Sequence, residues 1–172
     1  MTNYEINLSE IPAVIFDMDG VLLHNLDLHV QAFKLFGEEN GRNLTSKQIQ
    51  AVFGRKNSDM LQALLEKELT GEEIHQYEAR KEKLYRDLIR PQLHERMVDG
   101  LPELLRAIRS EDLGTALATS GPRDNVDMVL DDLDLRQDFD VIVTGDQVTQ
   151  GKPHPEVFLL AAKKLNLPAF EC

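Results

Sequence analysis

Apolar positions do not keep one period along this chain. Ala13-Val14-Ile15-Phe16 is an uninterrupted apolar run that ends abruptly on Asp17, the mark of a short strand buried on both faces. After Leu22 the spacing becomes helical and stays so for about seventy residues, too long for an ordinary βαβ crossover. An inserted helical module is the simplest account. Leu28, Phe33 and Phe36 share one helix face up to Gly41, and Ile49, Val52 and Phe53 mark a shorter helix ending at Gly54. Asn57 or Ser58 is placed to cap a helix carrying Met60, Leu61, Leu64 and Leu65. Thr70 and Glu73 have capping-box spacing and open a helix with Ile74, Tyr77, Leu84 and Leu88 that stops before Pro91.

From Gly100 the pattern alternates. Pro102 suits the first turn of a helix with Leu104, Leu105 and Ile108, and Gly114 leads into a strand, Thr115 to Thr119. A helix with Val126, Val129, Leu130 and Leu133 follows, then a strand Val141 to Thr144, then a helix with Val157, Phe158, Ala161, Ala162 and Leu165 that ends before Pro168. Such alternation implies a parallel sheet. The expected fold class is α/β: a Rossmann-like parallel-sheet core from residues 1–23 and 96–172, with a helical bundle, residues 24–95, inserted after the first strand.

Composition narrows the partners. The formal net charge of -11 over 172 residues, with no basic run, argues against nucleic acid. The single cysteine, Cys172, excludes an internal disulfide framework and suits a reducing cytoplasm. No apolar stretch is long enough to span a membrane, and no signal peptide is recognised at the N-terminus.

The chemistry gathers at strand ends. Asp17 and Asp19 fall where the first strand leaves the sheet, the place where open parallel sheets bind ligands, and Gly20 lets the chain turn there. One aspartate can attack phosphorus while a neighbouring carboxylate exchanges protons with the leaving and attacking oxygens. Asp17 fits the first role and Asp19 the second. A carboxylate and a phosphate dianion repel, which calls for a hard divalent cation such as Mg²⁺. Alone, the string equally fits a solvated turn. Thr119 and Ser120 end the second core strand, where hydroxyls and N–H groups suit a phosphate oxygen, although an isolated pair also fits a local turn. Lys152, between Gly151 and Pro153, is placed to neutralise phosphate charge.

The longer strings carry more. Phe16-Asp17-Met18-Asp19-Gly20-Val21-Leu22 closely resembles the first signature of the haloacid dehalogenase-like superfamily, mainly Mg²⁺-dependent phosphatases and phosphomutases. Ala118-Thr119-Ser120 resembles its second motif and Gly151-Lys152-Pro153-His154-Pro155-Glu156-Val157-Phe158 its third. The resemblance implies Asp17 as nucleophile, Asp19 as general acid/base, and Mg²⁺ held partly by the Asp17 carboxylate and the Asp19 backbone carbonyl. It further implies that Thr119, Ser120 and Lys152 hold the transferring phosphoryl group. The insert resembles the helical cap of the β-phosphoglucomutase-like subfamily, so that His29, Gly54 and Lys81 fall on cap positions that face substrate, while Phe33 reads as core.

The sequence also departs from that pattern. His24-Asn25 stands where an acidic residue and then Ser or Thr are usual, and Asn57 stands where a mutase-type cap places an Arg. The chain stops at Leu167-Pro168-Ala169-Phe170-Glu171-Cys172, before the strand and acidic pair of the family's fourth motif. An incomplete metal site and an exposed first strand are therefore expected, the chain being either truncated or one that pairs that strand with another copy. The implied function is a Mg²⁺-dependent phosphatase acting on a small phosphorylated metabolite, a sugar phosphate foremost. A phosphosugar mutase is the first alternative, and a chain that binds ligand without turnover is the second.

Overall fold

The computed structural model describes residues 11–53, 55 and 57–172. Strand β1 (Ala13–Phe16) is followed by helices α1 (Leu26–Glu39), α2 (Ser46–Val52), α3 (Asn57–Leu65) and α4 (Gly71–Ile89). Then come α5 (Leu101–Ser110), β2 (Gly114–Ala118), α6 (Arg123–Asp132), β3 (Val141–Val143) and α7 (Glu156–Lys164). The three strands form a parallel sheet in the order β1-β2-β3, with Phe16 opposite Leu117 and Leu117 opposite Ile142. Among the described residues β1 is therefore an outer strand.

Side-chain alternation along the strands sorts the core into two faces. Phe16 and Leu117 join Leu105 and Ile108 of α5 and Val126 and Val129 of α6. On the other face Ala116, Ala118 and Val143 pack on Val157 and Ala161 of α7. The first of these clusters continues through Met18, Leu22 and Leu23 into Leu28, Ala32, Tyr85 and Ile89, so α1 and α4 are rooted in the same apolar mass as the sheet. Farther out, Phe33, Phe36, Ile49, Met60, Leu61 and Leu64 close a second core among α1 to α4.

Local signals explain the boundaries. Both Thr45-Gln48 and Thr70-Glu73 form reciprocal capping boxes, at the starts of α2 and α4. Leu104, expected on the inner face of α5, is 42% exposed. The positions Leu101, Leu105 and Ile108 have the i, i+4, i+7 spacing of one face, and Leu104 falls beside it. Asn57, read as a cap, is the first residue of α3, and its amide is engaged elsewhere. No helix among the described residues is long and apolar enough to cross a membrane.

Candidate active site

Because the strands are parallel, the residues that follow them, Asp17, Thr119 and Thr144, emerge on one edge of the sheet. Asp17 Oδ1 accepts the Met18 N–H at 2.8 Å, and Oδ2 lies 2.7 Å from Lys152 Nζ. Lys152 arrives from the loop between β3 and α7, with its ammonium 4.8 Å from the centroid of the Phe158 ring. The aromatic face and the carboxylate together hold a cation at the end of β1. Thr119 is buried; its N–H extends the sheet ladder to Val143 O at 3.0 Å, and its Oγ1 accepts the Gly121 N–H at 3.0 Å. The local turn anticipated for this pair is thus formed, leaving the Thr119 hydroxyl proton and the Ser120 loop at the sheet edge. Gly145 presses that loop from β3: its N–H donates to Gly121 O at 2.9 Å, and a Cβ here would collide with the Ser120 carbonyl. Gly20, with φ of +78°, supplies the left-handed turn after Asp19.

Asp19 meets different company. Its Oδ1 accepts Asn25 Nδ2 at 2.6 Å, and His29 Nε2 lies 3.4 Å away. Asn25 also bonds the Tyr85 hydroxyl at 2.7 Å, and the His29 ring stacks on Tyr85 with centroids 3.8 Å apart. Behind His29, Lys81 Nζ stands 3.3 Å from His29 Nδ1, 2.8 Å from Glu82 Oε1 and 4.5 Å above the Phe33 ring. Glu82 in turn accepts Asn57 Nδ2 and Asn125 Nδ2, each at 2.6 Å. Burial pushes the Asp19 carboxyl up, but His29, the Asn25 amide and the Lys81 charge outweigh it, so it lies below its ordinary value. Tyr85 is driven upward by burial and by the nearby Asp19 charge, and keeps its proton.

A cavity of about 660 Å³ separates α3 and α4 from the strand-end loops, with Asn57, Ser58, Glu78 and Glu82 on one wall and Ser120 and Gly151 on the other. His29 and Lys81 do not line it; both are buried, and Lys81 is only 2% exposed. Gly54 lies outside the described residues. The structure therefore brings Asp17, Asp19, Thr119, Ser120 and Lys152 to one edge, and sets His29 and Lys81 behind Asp19. Sequence reading did not single out Tyr85, Glu82, Asn125 or Gly145. Asn25 stood out only as a departure, and its buried amide now has a place, bridging Asp19 and Tyr85. Among the described residues no group of three or more His, Cys, Asp or Glu side chains is disposed to hold a metal ion.

A family model described as haloacid dehalogenase-like hydrolase matches residues 14–172. A phosphorylated carbohydrates phosphatase of Thermotoga maritima is 33% identical over 159 residues, covering 90% of this chain and 71% of that protein. β-Phosphoglucomutase of Bacillus subtilis is 29% identical over 165 residues, covering 93% and 72% respectively. Among solved structures, β-phosphoglucomutase from Clostridium difficile superposes with a TM-score of 0.82 at 28% identity, over 91% of this chain and 72% of that one.

Proposed function

The chain belongs to the haloacid dehalogenase-like hydrolases, and from that premise we propose that it is a Mg²⁺-dependent phosphatase of a small phosphorylated metabolite, a sugar phosphate foremost. The observation that carries this reading is the Lys152 ammonium 2.7 Å from the Asp17 carboxylate at the end of β1. A nucleophilic carboxylate and a fixed cation share one spot, and phosphoryl transfer depends mainly on such positioning and charge.

Asp17 attacks the phosphorus, and the P–O bond to the leaving group breaks as an aspartyl phosphate forms. Asp19 supplies the proton to the leaving oxygen, then takes one from the water that cleaves the acyl phosphate. A phosphate dianion beside Asp19 opposes its ionisation and moves it toward the protonated form that the first step needs. Lys152, the Thr119 hydroxyl and the Ser120 backbone hold the phosphoryl oxygens. Helices α1 to α4, over residues 24–95, act as a cap that excludes water and takes the leaving group into the adjoining cavity.

The protein's share of a Mg²⁺ site is small and fits that ion. Asp19 spends its side chain on Asn25 and His29, so the Asp17 carboxylate and the Asp19 main-chain carbonyl would hold it, and Mg²⁺ characteristically completes its shell with waters and substrate phosphate. When bound, it supplies charge neutralisation between carboxylate and phosphate.

Hydrolysis is favoured over phosphoryl return to a second hydroxyl. A mutase must grip a phosphate at each end of its sugar, and among the described residues the arginines lining the cavity are engaged: Arg86 by Asn125 Oδ1 at 2.9 Å and Arg123 by Asp127 at 3.0 Å. Asn57, at the mutase arginine position, is bound to Glu82. The similarity to a phosphatase of phosphorylated carbohydrates supports a carbohydrate leaving group.

The test is phosphate release from a panel of sugar phosphates with Mg²⁺, with chelator, and with the Asp17→Asn variant. Mg²⁺-dependent release that the variant loses is the expected result. Release that survives in Asp17→Asn, or none from the folded wild type, rejects the reading; dependence on an added bisphosphate transfers it to a mutase.

A further inference from the structure

Glu82 is 4% exposed, yet it is the meeting point of three helices. Its Oε1 accepts from Lys81 on α4 and from Asn57 on α3, and its Oε2 accepts from Asn125 on α6, at 2.8, 2.6 and 2.6 Å. Asn125 is itself 1% exposed, and its Oδ1 is held by Arg86 Nη1 at 2.9 Å. Nothing in the proposed phosphoryl chemistry uses Glu82 directly. A buried carboxylate with this many donors is costly to maintain without a task for its charge.

That task is legible in what lies beyond Lys81. An ammonium only donates, so the nitrogen 3.3 Å away, His29 Nδ1, must accept. The ring proton of neutral His29 then sits on Nε2, which is buried, has no fully formed hydrogen bond, and faces Asp19 Oδ1 at 3.4 Å. Stacking on Tyr85 fixes the ring plane. Without the Glu82 carboxylate, the Lys81 ammonium, buried to 2% exposure, loses the anion 2.8 Å away that holds it against His29 Nδ1. The constraint on His29 then disappears.

We propose that Glu82, held by Asn125, is a positioning residue for Asp19: it keeps Lys81 as a donor to His29 Nδ1 and so presents His29 Nε2–H to the Asp19 carboxylate. The proposal rests on the reading of Asp19 as the acid/base and deepens it. It makes the geometry of that group depend on a contact between α4 and α6, on the far side of the histidine. Glu82 acts through Lys81 and His29, not on the reacting atoms.

Two readouts on the full chain test it. Nitrogen chemical shifts of the His29 ring, by ¹⁵N NMR, report which nitrogen carries the proton, independently of turnover. Steady-state kinetics on the best substrate of the panel then separate kcat from KM. The wild type is expected to show a single Nε2–H tautomer. Glu82→Gln is expected to lose it and to lower kcat by about 10-fold to 100-fold with KM nearly unchanged, the scale of misplacing a catalytic group. Asn125→Ser shifts both in the same direction by less.

Should Glu82→Gln fail to fold, Lys81→Met combined with Glu82→Gln removes both charges, leaves no unpaired buried ion and abolishes the same constraint. A wild-type proton on Nδ1, a tautomer unchanged in the variants, or unchanged kcat beside a changed tautomer overturns the proposal. Absence of phosphate release from any ester rejects the phosphatase reading instead, and the tautomer still decides whether Glu82 controls His29.

Discussion

Asp17 and Asp19 are separated by one residue, and two different parts of the molecule hold them. Around Asp17 the partners come from the strand ends: the Met18 N–H, and Lys152 from the loop after β3. Around Asp19 they come from helices: Asn25 just before α1, His29 on α1 and, behind them, Tyr85, Lys81 and Glu82 on α4. The first group is open to the site and short in its connections. The second is a buried polar chain within an apolar shell, linked member to member, with Asn25 Oδ1 and His29 Nε2 left without a full hydrogen bond. The proposed nucleophile and the proposed proton carrier thus depend on separable structures.

The separation can be broken at either side. Asp17→Asn is expected to lower phosphate release at least about 10³-fold, because an amide cannot form the acyl phosphate; acid-quenched chain labelled by substrate phosphate would carry no label. Lys152→Ala removes the cation opposite Asp17 and is expected to cost about 10²-fold in kcat, on the scale of a lost transition-state donor, while the His29 ring shifts stay as in the wild type. Gly145→Ala drives a methyl against the Ser120 carbonyl; overpacking of this kind costs about 1–3 kcal/mol, read as a lower midpoint in urea, together with weaker phosphate binding.

On the Asp19 side, Tyr85→Phe deletes a hydroxyl that accepts from Asn25. A loss of about 1 kcal/mol in unfolding free energy is expected, with Lys152 and Asp17 unaffected. The smallest effect is in the pH profile of stability. Burial raises the Glu82 carboxyl, but Lys81, His29 and Asn125 outweigh it and hold it below the ordinary 4.5. A carboxyl depressed in the folded state stabilises above its unfolded value, and that contribution is lost as pH falls through the folded one. Urea midpoints should therefore drop as pH falls below 4.5, and Glu82→Gln should flatten that slope. An equally steep slope in the variant would mean that the acid sensitivity lies elsewhere, Asp19 being next in line with the same sign.

The elements of the fold were legible because their periods are local. Ala13-Val14-Ile15-Phe16 reads as a strand from four residues, and the Thr70-Glu73 spacing announces α4 before any tertiary contact is known. The strand-end residues Asp17, Thr119 and Lys152 were legible for a related reason: parallel topology sends every strand end to one edge. Lys81 shows the limit. Its position on α4 marks it as a helix residue with a charge, and only the resemblance implies reach toward substrate, but it turns inward to Glu82 and His29 with Phe33 beneath it.

What the sequence by itself determined is the order of strands and helices, the apolar faces that join them, and the appearance of two carboxylates, a hydroxyl pair and a lysine at the ends of strands. Only the tertiary structure decided which buried polar groups satisfy one another. Asn25, His29, Lys81, Glu82, Tyr85 and Asn125 lie up to a hundred residues apart, and no periodicity relates them. Their pairing follows from desolvation: once α1, α4 and α6 close on a common apolar core, each polar atom trapped there must find a partner or forfeit its hydration.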